Sequence, residues 1–255
     1  MARVRPIDHE ERLTLVDHLD ELRTRIIIAI SAIFVASAIC YWQEDVVLDI
    51  VNRPLPEGIP QPITFGVTEP FTTTLTNSAY FGILIALPVV LYQLYAFVLP
   101  AFSPTERKVA TPLLLMVPFL FVAGVVFCYF VVLPPAIDFL LGFNNDAFRT
   151  EVRARDYYSF VTLTMLAMGL GFQVPVAILA LVRLGITSPE KLRKNRRYAI
   201  LVIAVLAALL PTVDPVTLIL EMIPLIILYE LSILLAAALE RRRSTSTDVA
   251  TAESS

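Results

Sequence analysis

Long apolar runs, separated by short charged or proline-rich segments, are the feature that most constrains the fold of this chain. Six of these runs are candidate membrane spans, and they cover residues 26–42, 71–99, 109–133, 157–182, 198–210 and 216–239. A helix needs about 20 apolar residues to cross roughly 30 Å of hydrocarbon. The fifth run would reach only about 20 Å at about 1.5 Å per residue. It therefore predicts a helix that thins the bilayer or is shielded by its neighbours.

The composition agrees with a polytopic membrane protein. The chain has 255 residues, of which 57% are hydrophobic, and its mean hydropathy of +0.73 is far above that of a soluble domain. The sequence predicts an all-α fold, with a single membrane domain over residues 1–240. Residues 241–255 are rich in serine, threonine, alanine and acids without apolar periodicity, which predicts a disordered tail. Prolines inside four of the six spans predict curved or kinked helices.

The distribution of basic residues predicts the orientation of the chain. The termini and the loops at 100–108 and 183–197 carry 16 of the 20 Lys and Arg residues, while the loops at 43–70 and 134–156 carry the other four. Loops rich in Lys and Arg stay in the cytoplasm. Both termini are therefore expected in the cytoplasm, and the chain is expected in the cell membrane.

Signatures of catalysis are missing from the sequence. No glycine is followed by lysine, which excludes a phosphate-binding loop of the Walker type, and there is neither a His-Glu-x-x-His zinc motif nor a Gly-x-Ser-x-Gly elbow. With only two histidines and two cysteines, a transition-metal cluster is not expected. The sequence therefore predicts no enzyme activity and no cofactor, and nothing in it suggests a nucleic-acid partner.

Two acids and one amide stand out inside the predicted spans. Glu221 and Glu230 are nine residues apart, which puts them on roughly opposite faces of the last helix, so they make a poor acid/base pair. Each is expected to have a partner or a wet crevice, or to be protonated. Gln173 lies near the middle of the fourth span, where it is either packing glue between helices or a polar spot facing a cavity.

The charged stretch before the first span allows two interpretations. Glu21 precedes Arg25 by one helical turn, which is the favourable order for a helical ion pair. A solvated, salt-bridged collar at the end of a membrane helix explains this pattern. The other interpretation makes Glu21 a carboxylate held at the membrane surface to receive a cation. In the loop before the third span, Ser103 and Glu106 have the spacing of a helix capping box, which explains Glu106 without any function.

Six motifs together resemble one family, TatC, the polytopic subunit of the twin-arginine protein translocase. The motifs are HLDELRTR at 18–25, TEPF at 68–71, SPTERK at 103–108, YFVVLP at 129–134, FQVPVA at 172–177 and GITSPE at 185–190. They occur in the family's order, and the resemblance covers roughly residues 13–240. The resemblance implies six spans arranged as a curved, cup-like wall. It implies a core receptor subunit that binds the twin-arginine signal peptides of folded cargo, in a translocase driven by the proton-motive force.

The resemblance also implies site residues and partners. Glu21 and Glu106 would read the paired arginines, Arg23 matches another position of that site, and Phe97 would line it. The outer-face residue Glu69 is expected to fix the entry to the second long helix. Single-span TatA- and TatB-like subunits would dock within the lipid, and a homo-oligomer is left open.

One position departs from the family pattern. The family often has glutamate where this chain has Gln173. An amide cannot take up and release a proton at any accessible pH, so a proton relay through Gln173 is in doubt, whereas a polar contact to a partner helix remains open. The alternative function is secondary transport of a small solute along Gln173, Glu221 and Glu230. The absence of an internal sequence repeat counts against that alternative.

Overall fold

The fold is a set of long helices joined by short connections. The structure is a computed structural model, and it describes residues 9–56, 59, 61–98, 104–144, 150–183, 185–208 and 214–253; within these ranges the side chains of 9–17, 98, 104–114 and 239–253 lie outside the description. The described residues form ten α-helices and one π-helix. They are α1 (His9–Trp42), α2 (Glu44–Asn52), α3 (Glu69–Val98), α4 (Pro104–Phe127), the π-helix (Cys128–Val132), α5 (Leu133–Gly142), α6 (Ala154–Gly171), α7 (Val174–Arg183), α8 (Pro189–Lys194), α9 (Arg196–Ala208) and α10 (Pro215–Glu253).

Five helical segments of the described chain are long and apolar enough to cross a membrane. They are His18–Trp42, Glu69–Phe97, Leu115–Gly142, Ala154–Arg183 and Pro215–Ala238. The remaining predicted span, 198–210, coincides with α9, whose 13 residues would reach about 20 Å. The all-helical, multi-pass prediction is therefore confirmed. The count of six spans stays a prediction, because α9 is shorter than a bilayer-crossing helix.

Helices α1 and α3 form an antiparallel pair with a very close approach in the middle. A Cβ atom built on Gly82 of α3 would stand 2.5 Å from the Cα of Ser37 on α1, a distance that real side chains do not reach. Small residues at such a point let two membrane helices come together until their backbones touch. Gly82 and Ser37 therefore fix how closely α1 lies against α3.

The third long segment contains a π-helix between α4 and α5. The N–H of Leu133 donates to the carbonyl of Cys128, five residues earlier. Pro134 and Pro135 follow at once, and in a regular α-turn each proline ring would crowd the carbonyl four residues before it. The wider turn accommodates this local mismatch.

The fourth long segment is broken at Phe172 and Gln173, between α6 and α7. The N–H of Gln173 donates to the carbonyl of Leu170 at 2.9 Å, three residues back, which is the tighter pattern of a helix end. Pro175 then opens the next helix without a donor of its own. Among the four predicted kinks, this proline is the one that coincides with a break between helices.

The connections at one end of the bundle are tied together through Glu69. Its Oε2 accepts the N–H groups of Phe65 at 2.7 Å and Gly66 at 3.0 Å, and its Oε1 accepts from Arg153 Nε at 2.6 Å. The hydrogen bond and charge of Glu69 raise the pKa of Arg153. Ile63 pairs with the strand-like segment beside Arg153. This geometry agrees with the expected role of Glu69 at the entry to α3.

The last helix extends beyond the last predicted span. Helix α10 is described to Glu253, within the stretch 241–255 for which a disordered tail is predicted from sequence. Extending an existing helix costs much less than starting one, and the Glu-Arg-Arg-Arg sequence from Glu240 has good helix propensity. The division into a membrane domain of residues 1–240 and a separate tail stays a prediction.

Candidate functional site

The N-terminal half of α1 and the C-terminal end of α3 form a polar surface around Glu21. Arg25 donates to Glu21 Oε1 from Nη2 at 2.6 Å and from Nε at 3.0 Å. The same guanidinium donates from Nη1 to Gln93 Oε1 on α3 at 2.9 Å. Glu21 is 35% exposed and Arg25 is 23% exposed, so the pair is half-buried between two helices. The predicted ion pair of the collar is present, and it is also connected to α3.

One turn away, two aromatic rings stack across the same helix pair. The His18 imidazole lies 4.4 Å from the Phe97 ring, measured between centroids, with an angle of 15° between the planes. His18 precedes Glu21 by three residues on α1, and Phe97 follows Gln93 by four residues on α3. Residues at these spacings share one helix face. Phe97 and Glu21 therefore belong to one continuous surface, which we call the α1–α3 polar surface and define as His18, Glu21, Arg25, Gln93 and Phe97.

This surface has the chemistry to bind a cation. Both described hydrogen bonds of Arg25 to Glu21 end on Oε1, so Oε2 is the oxygen through which the carboxylate can accept a further donor. Carboxylates bind guanidinium through charge-assisted, paired hydrogen bonds. The Phe97 face beside it can pack against a cation or an apolar chain.

Of the other two predicted site residues, the structure describes the side chain of Arg23 but not that of Glu106. Arg23 is exposed. It follows Glu21 by two residues, so the two side chains point to different faces of α1. Helix α4 begins at Pro104, as the predicted capping box requires. Ser103 and the side chain of Glu106 lie outside the described residues.

Gln173 is turned into the protein at the break between α6 and α7. Its Nε2 donates to the Val117 carbonyl on α4 at 3.2 Å, and the residue is 7% exposed. Its Oε1 has no hydrogen-bond partner among the described residues. Within the chain, the amide thus connects two helices, which is the packing role that the sequence allowed.

The two acids of the last long helix have unlike surroundings. Glu230 accepts a hydrogen bond from Arg196 at 2.7 Å, so its expected partner is present. Glu221 is 0% exposed, and neither of its oxygens has a partner among the described residues. Glu230 therefore has the expected partner, and for Glu221 the two other expectations, a wet crevice or a protonated carboxyl, remain.

Two members of the α1–α3 polar surface escaped the sequence analysis. Gln93 is a polar residue near the end of an apolar run, one turn before Phe97, and this spacing was an available signal. His18 stands in the quoted HLDELRTR motif, but its stacking partner is far away in sequence. Among the described residues, no group of three or more His, Cys, Asp or Glu side chains could hold a metal ion.

The comparisons with known proteins agree with one another. The family model of the Sec-independent protein translocase protein (TatC) matches residues 17–224. The chain is 39% identical over 228 residues to TatC of Carboxydothermus hydrogenoformans, covering 89% of this chain and 94% of that protein. It is 35% identical over 227 residues to TatC of Escherichia coli K12, covering 88% of each chain.

A solved structure gives the same result for the fold. The crystal structure described as that of the twin arginine translocase receptor TatC in DDM is 37% identical and superposes with a TM-score of 0.76, covering 86% of this chain and 99% of that one. The fold and the sequence thus agree over nearly the whole of these relatives. The chain belongs to the TatC family, and it is therefore a multi-pass membrane component of a protein translocase rather than an enzyme.

Proposed function

We propose that this chain is the subunit of its translocase that binds twin-arginine signal peptides of folded cargo, through Glu21, Arg23, Phe97 and Glu106. The observation that carries the proposal is the position of Glu21: its carboxylate lies between α1 and α3, joined to Gln93 through Arg25. Family membership supports the translocase function and leaves the solute-transporter alternative without support.

The chemistry of arginine favours such a site. A guanidinium is always charged and presents a planar fork of donors, whereas the ammonium of lysine is a compact point charge. Two carboxylates at fixed positions can therefore select paired arginines over lysines. Glu106 would supply the second carboxylate from the first turn of α4, where it can cap its own helix and still offer an oxygen to a ligand.

Arg25 prepares the site for this ligand. A carboxylate that is already bonded to one guanidinium keeps its orientation, and it does not have to be immobilised when the peptide binds. An arginine of the signal peptide would reach Oε2 of Glu21, beside the Phe97 ring. Arg23, on another face of α1, would contact a different part of the ligand.

The proposed assembly follows the same family pattern. Single-span TatA- and TatB-like subunits would pack against the chain within the lipid, with Gln173 as a polar contact, and the proton-motive force would drive transport. Six spans within residues 1–240 would place both termini in the cytoplasm of a cell membrane, because the basic residues are concentrated on that side. A second copy of the chain within the complex is left open.

Binding of a twin-arginine peptide to the purified full-length chain tests the proposal. Glu21→Ala and Glu106→Ala should each weaken binding by about tenfold to a hundredfold, since a charge-assisted hydrogen bond contributes roughly 1.5–3 kcal/mol. Glu190→Ala is the matched control, because Glu190 is an exposed acid on the same predicted side. Equal losses in all three variants would mean that the peptide is held by general charge attraction, which would contradict the proposal.

A further inference from the structure

Among the acids whose side chains the structure describes, Glu221 is the most deeply buried, and the proposed peptide site does not use it. It is 0% exposed, and both of its carboxyl oxygens lack a hydrogen-bond partner among the described residues. Burying an unpaired carboxylate is far more costly than burying the neutral acid. Its burial therefore favours the protonated form of Glu221, whereas Glu230 has a basic partner in Arg196.

Two further polar groups precede Glu221 on the same face of α10. Asp214 accepts the N–H of Thr217 at 2.7 Å and so caps the helix, while its other oxygen, Oδ2, is buried without a described partner. The Thr217 hydroxyl is also buried and has no partner among the described residues. Positions 214, 217 and 221 are three and four residues apart, so they follow one helix face. Buried oxygens in such a row are groups that ordered water satisfies.

The row is short, and it begins at one end of the helix. Glu221 lies six residues beyond Pro215, which is about 9 Å, and 17 residues before Ala238, which is about 26 Å. Water therefore has a much shorter route to Glu221 from the Asp214 end than from the opposite end. In the proposed topology, the Asp214 end is the outer one.

Few other ionisable groups lie near this carboxyl. Cys128 is fully buried in the π-helix, which packs against α10. Two further ionisable side chains of the elements packed against α10 are Asp138 on α5, which is exposed, and Tyr129 of the π-helix, which bonds to α2. The others are Arg183 at the end of α7 and the charged groups of α8 and of the first turn of α9. In the described part of the chain, no basic side chain is bonded to Glu221.

We propose that Glu221 is a proton-binding site of this translocase subunit, in exchange with the aqueous phase at the Asp214 end of α10 through Asp214 and Thr217. A proton from water binds a carboxylate oxygen of Glu221, and its release returns the proton along the same row. Glu221 gives this chain an intramembrane group that can bind and release a proton, which the amide of Gln173 cannot do. The assignment of the Asp214 end to the outer side of the membrane rests on the proposed function. The proton exchange itself does not, because exchange with water can be measured without transport or peptide.

Infrared spectroscopy of the purified full-length chain in detergent tests the proposal. At neutral pH, the difference between wild type and Glu221→Gln should contain the carbonyl band of a protonated carboxyl. In D2O this band should shift as the proton exchanges. Thr217→Val, which keeps the shape of the side chain but removes the hydroxyl, should slow the shift by at least about tenfold, equivalent to 1.4 kcal/mol in the barrier.

Ser232→Ala is the matched control for the end of α10 from which water reaches Glu221. Ser232 is a fully buried hydroxyl on the same helix, eleven residues beyond Glu221 and on nearly the same face. Its removal should leave the exchange rate unchanged. A missing carboxyl band, an unchanged rate in Thr217→Val, or equal slowing in Ser232→Ala would each overturn the proposal.

A second measurement keeps the test open if Glu221→Gln fails to fold. A hydrophobic carbodiimide reacts with protonated carboxyls, and mass spectrometry locates the product in the wild-type chain. Glu221 should be modified, whereas Glu230, which is paired with Arg196, should not. Modification of Glu230 without Glu221 would contradict the assignment. Neither readout involves a signal peptide, so a failure here leaves the proposed receptor function untouched.

Discussion

Arg25 of α1 donates a hydrogen bond to the side-chain oxygen of Gln93 on α3, across 2.9 Å. The same guanidinium binds Glu21, so the carboxylate is fixed relative to two helices rather than one. A local helical ion pair contributes little when it is exposed. Its connection to a second helix is what turns this pair into a defined surface.

Gln93 is expected to act as a positioning residue for Glu21. Gln93→Leu removes the acceptor, so Arg25 and Glu21 lose their link to α3, and we expect peptide affinity to fall by about twofold to fivefold, which corresponds to less than one charge-assisted hydrogen bond. Gln93→Glu restores an acceptor for Arg25 and should recover the affinity. A purely structural role would lower the melting temperature of both variants without this rescue of binding.

The close approach of α1 and α3 makes Gly82 intolerant of a side chain. Gly82→Ala would push a methyl group into the backbone of Ser37, and overpacking of this kind costs about 1–3 kcal/mol. Thermal unfolding in detergent should show a lower melting temperature. Gly142→Ala is the control, since a Cβ there meets no atom within 4 Å. Equal melting temperatures for wild type and Gly82→Ala would show that the two helices are not in this contact.

The amide of Gln173 is expected to matter for partner association. Gln173→Leu removes the hydrogen bond to the Val117 carbonyl, which holds the break between α6 and α7 against α4, a loss of about 0.6–2 kcal/mol in a membrane. Crosslinking to a single-span partner should weaken, whereas Gln173→Glu should keep transport. Unchanged crosslinking in Gln173→Leu would leave Gln173 as internal packing only.

The 16-to-4 division of basic residues predicts which loops face outward. Val67 and Lys194 are exposed positions in loops of opposite predicted sides. An impermeant thiol reagent added to intact cells should label Val67→Cys and not Lys194→Cys. The native Cys40 and Cys128 are both buried, so the unmodified protein should give little background. Labelling of Lys194→Cys from outside would reverse the proposed topology.

Features that depend on local spacing were accessible from the sequence. The Glu21–Arg25 pair follows from an i, i+4 spacing, and the proline at position 175 predicted a kink where the structure has the break between α6 and α7. The apolar runs predicted the positions of the long helices, but three segments extend well beyond them: α1 begins at His9, the third segment continues through α5 to Gly142, and α10 continues to Glu253. Each of these features depends on residues that are close together in the sequence.

Features that depend on tertiary neighbours were not accessible. Glu230 meets Arg196 across 34 residues, and His18 meets Phe97 across 79, so neither pair leaves a periodic signal. The burial of Glu221 away from any basic side chain of the described residues could not be predicted either, because Glu221 and Glu230 lie in similar apolar sequence. Only the packing of the other helices around α10 distinguishes them.

The most direct test of the receptor function is a double-mutant cycle between Glu21 and the two arginines of the signal peptide. It measures the affinity of wild type and Glu21→Ala for a twin-arginine peptide and for its twin-lysine counterpart. Lysine replacement should weaken binding to wild type by about tenfold or more, since a point charge cannot reproduce the guanidinium fork. In Glu21→Ala the same replacement should cost much less, because the two changes remove the same contact. Equal costs in wild type and Glu21→Ala, with both proteins folded, would show that Glu21 does not bind the arginines.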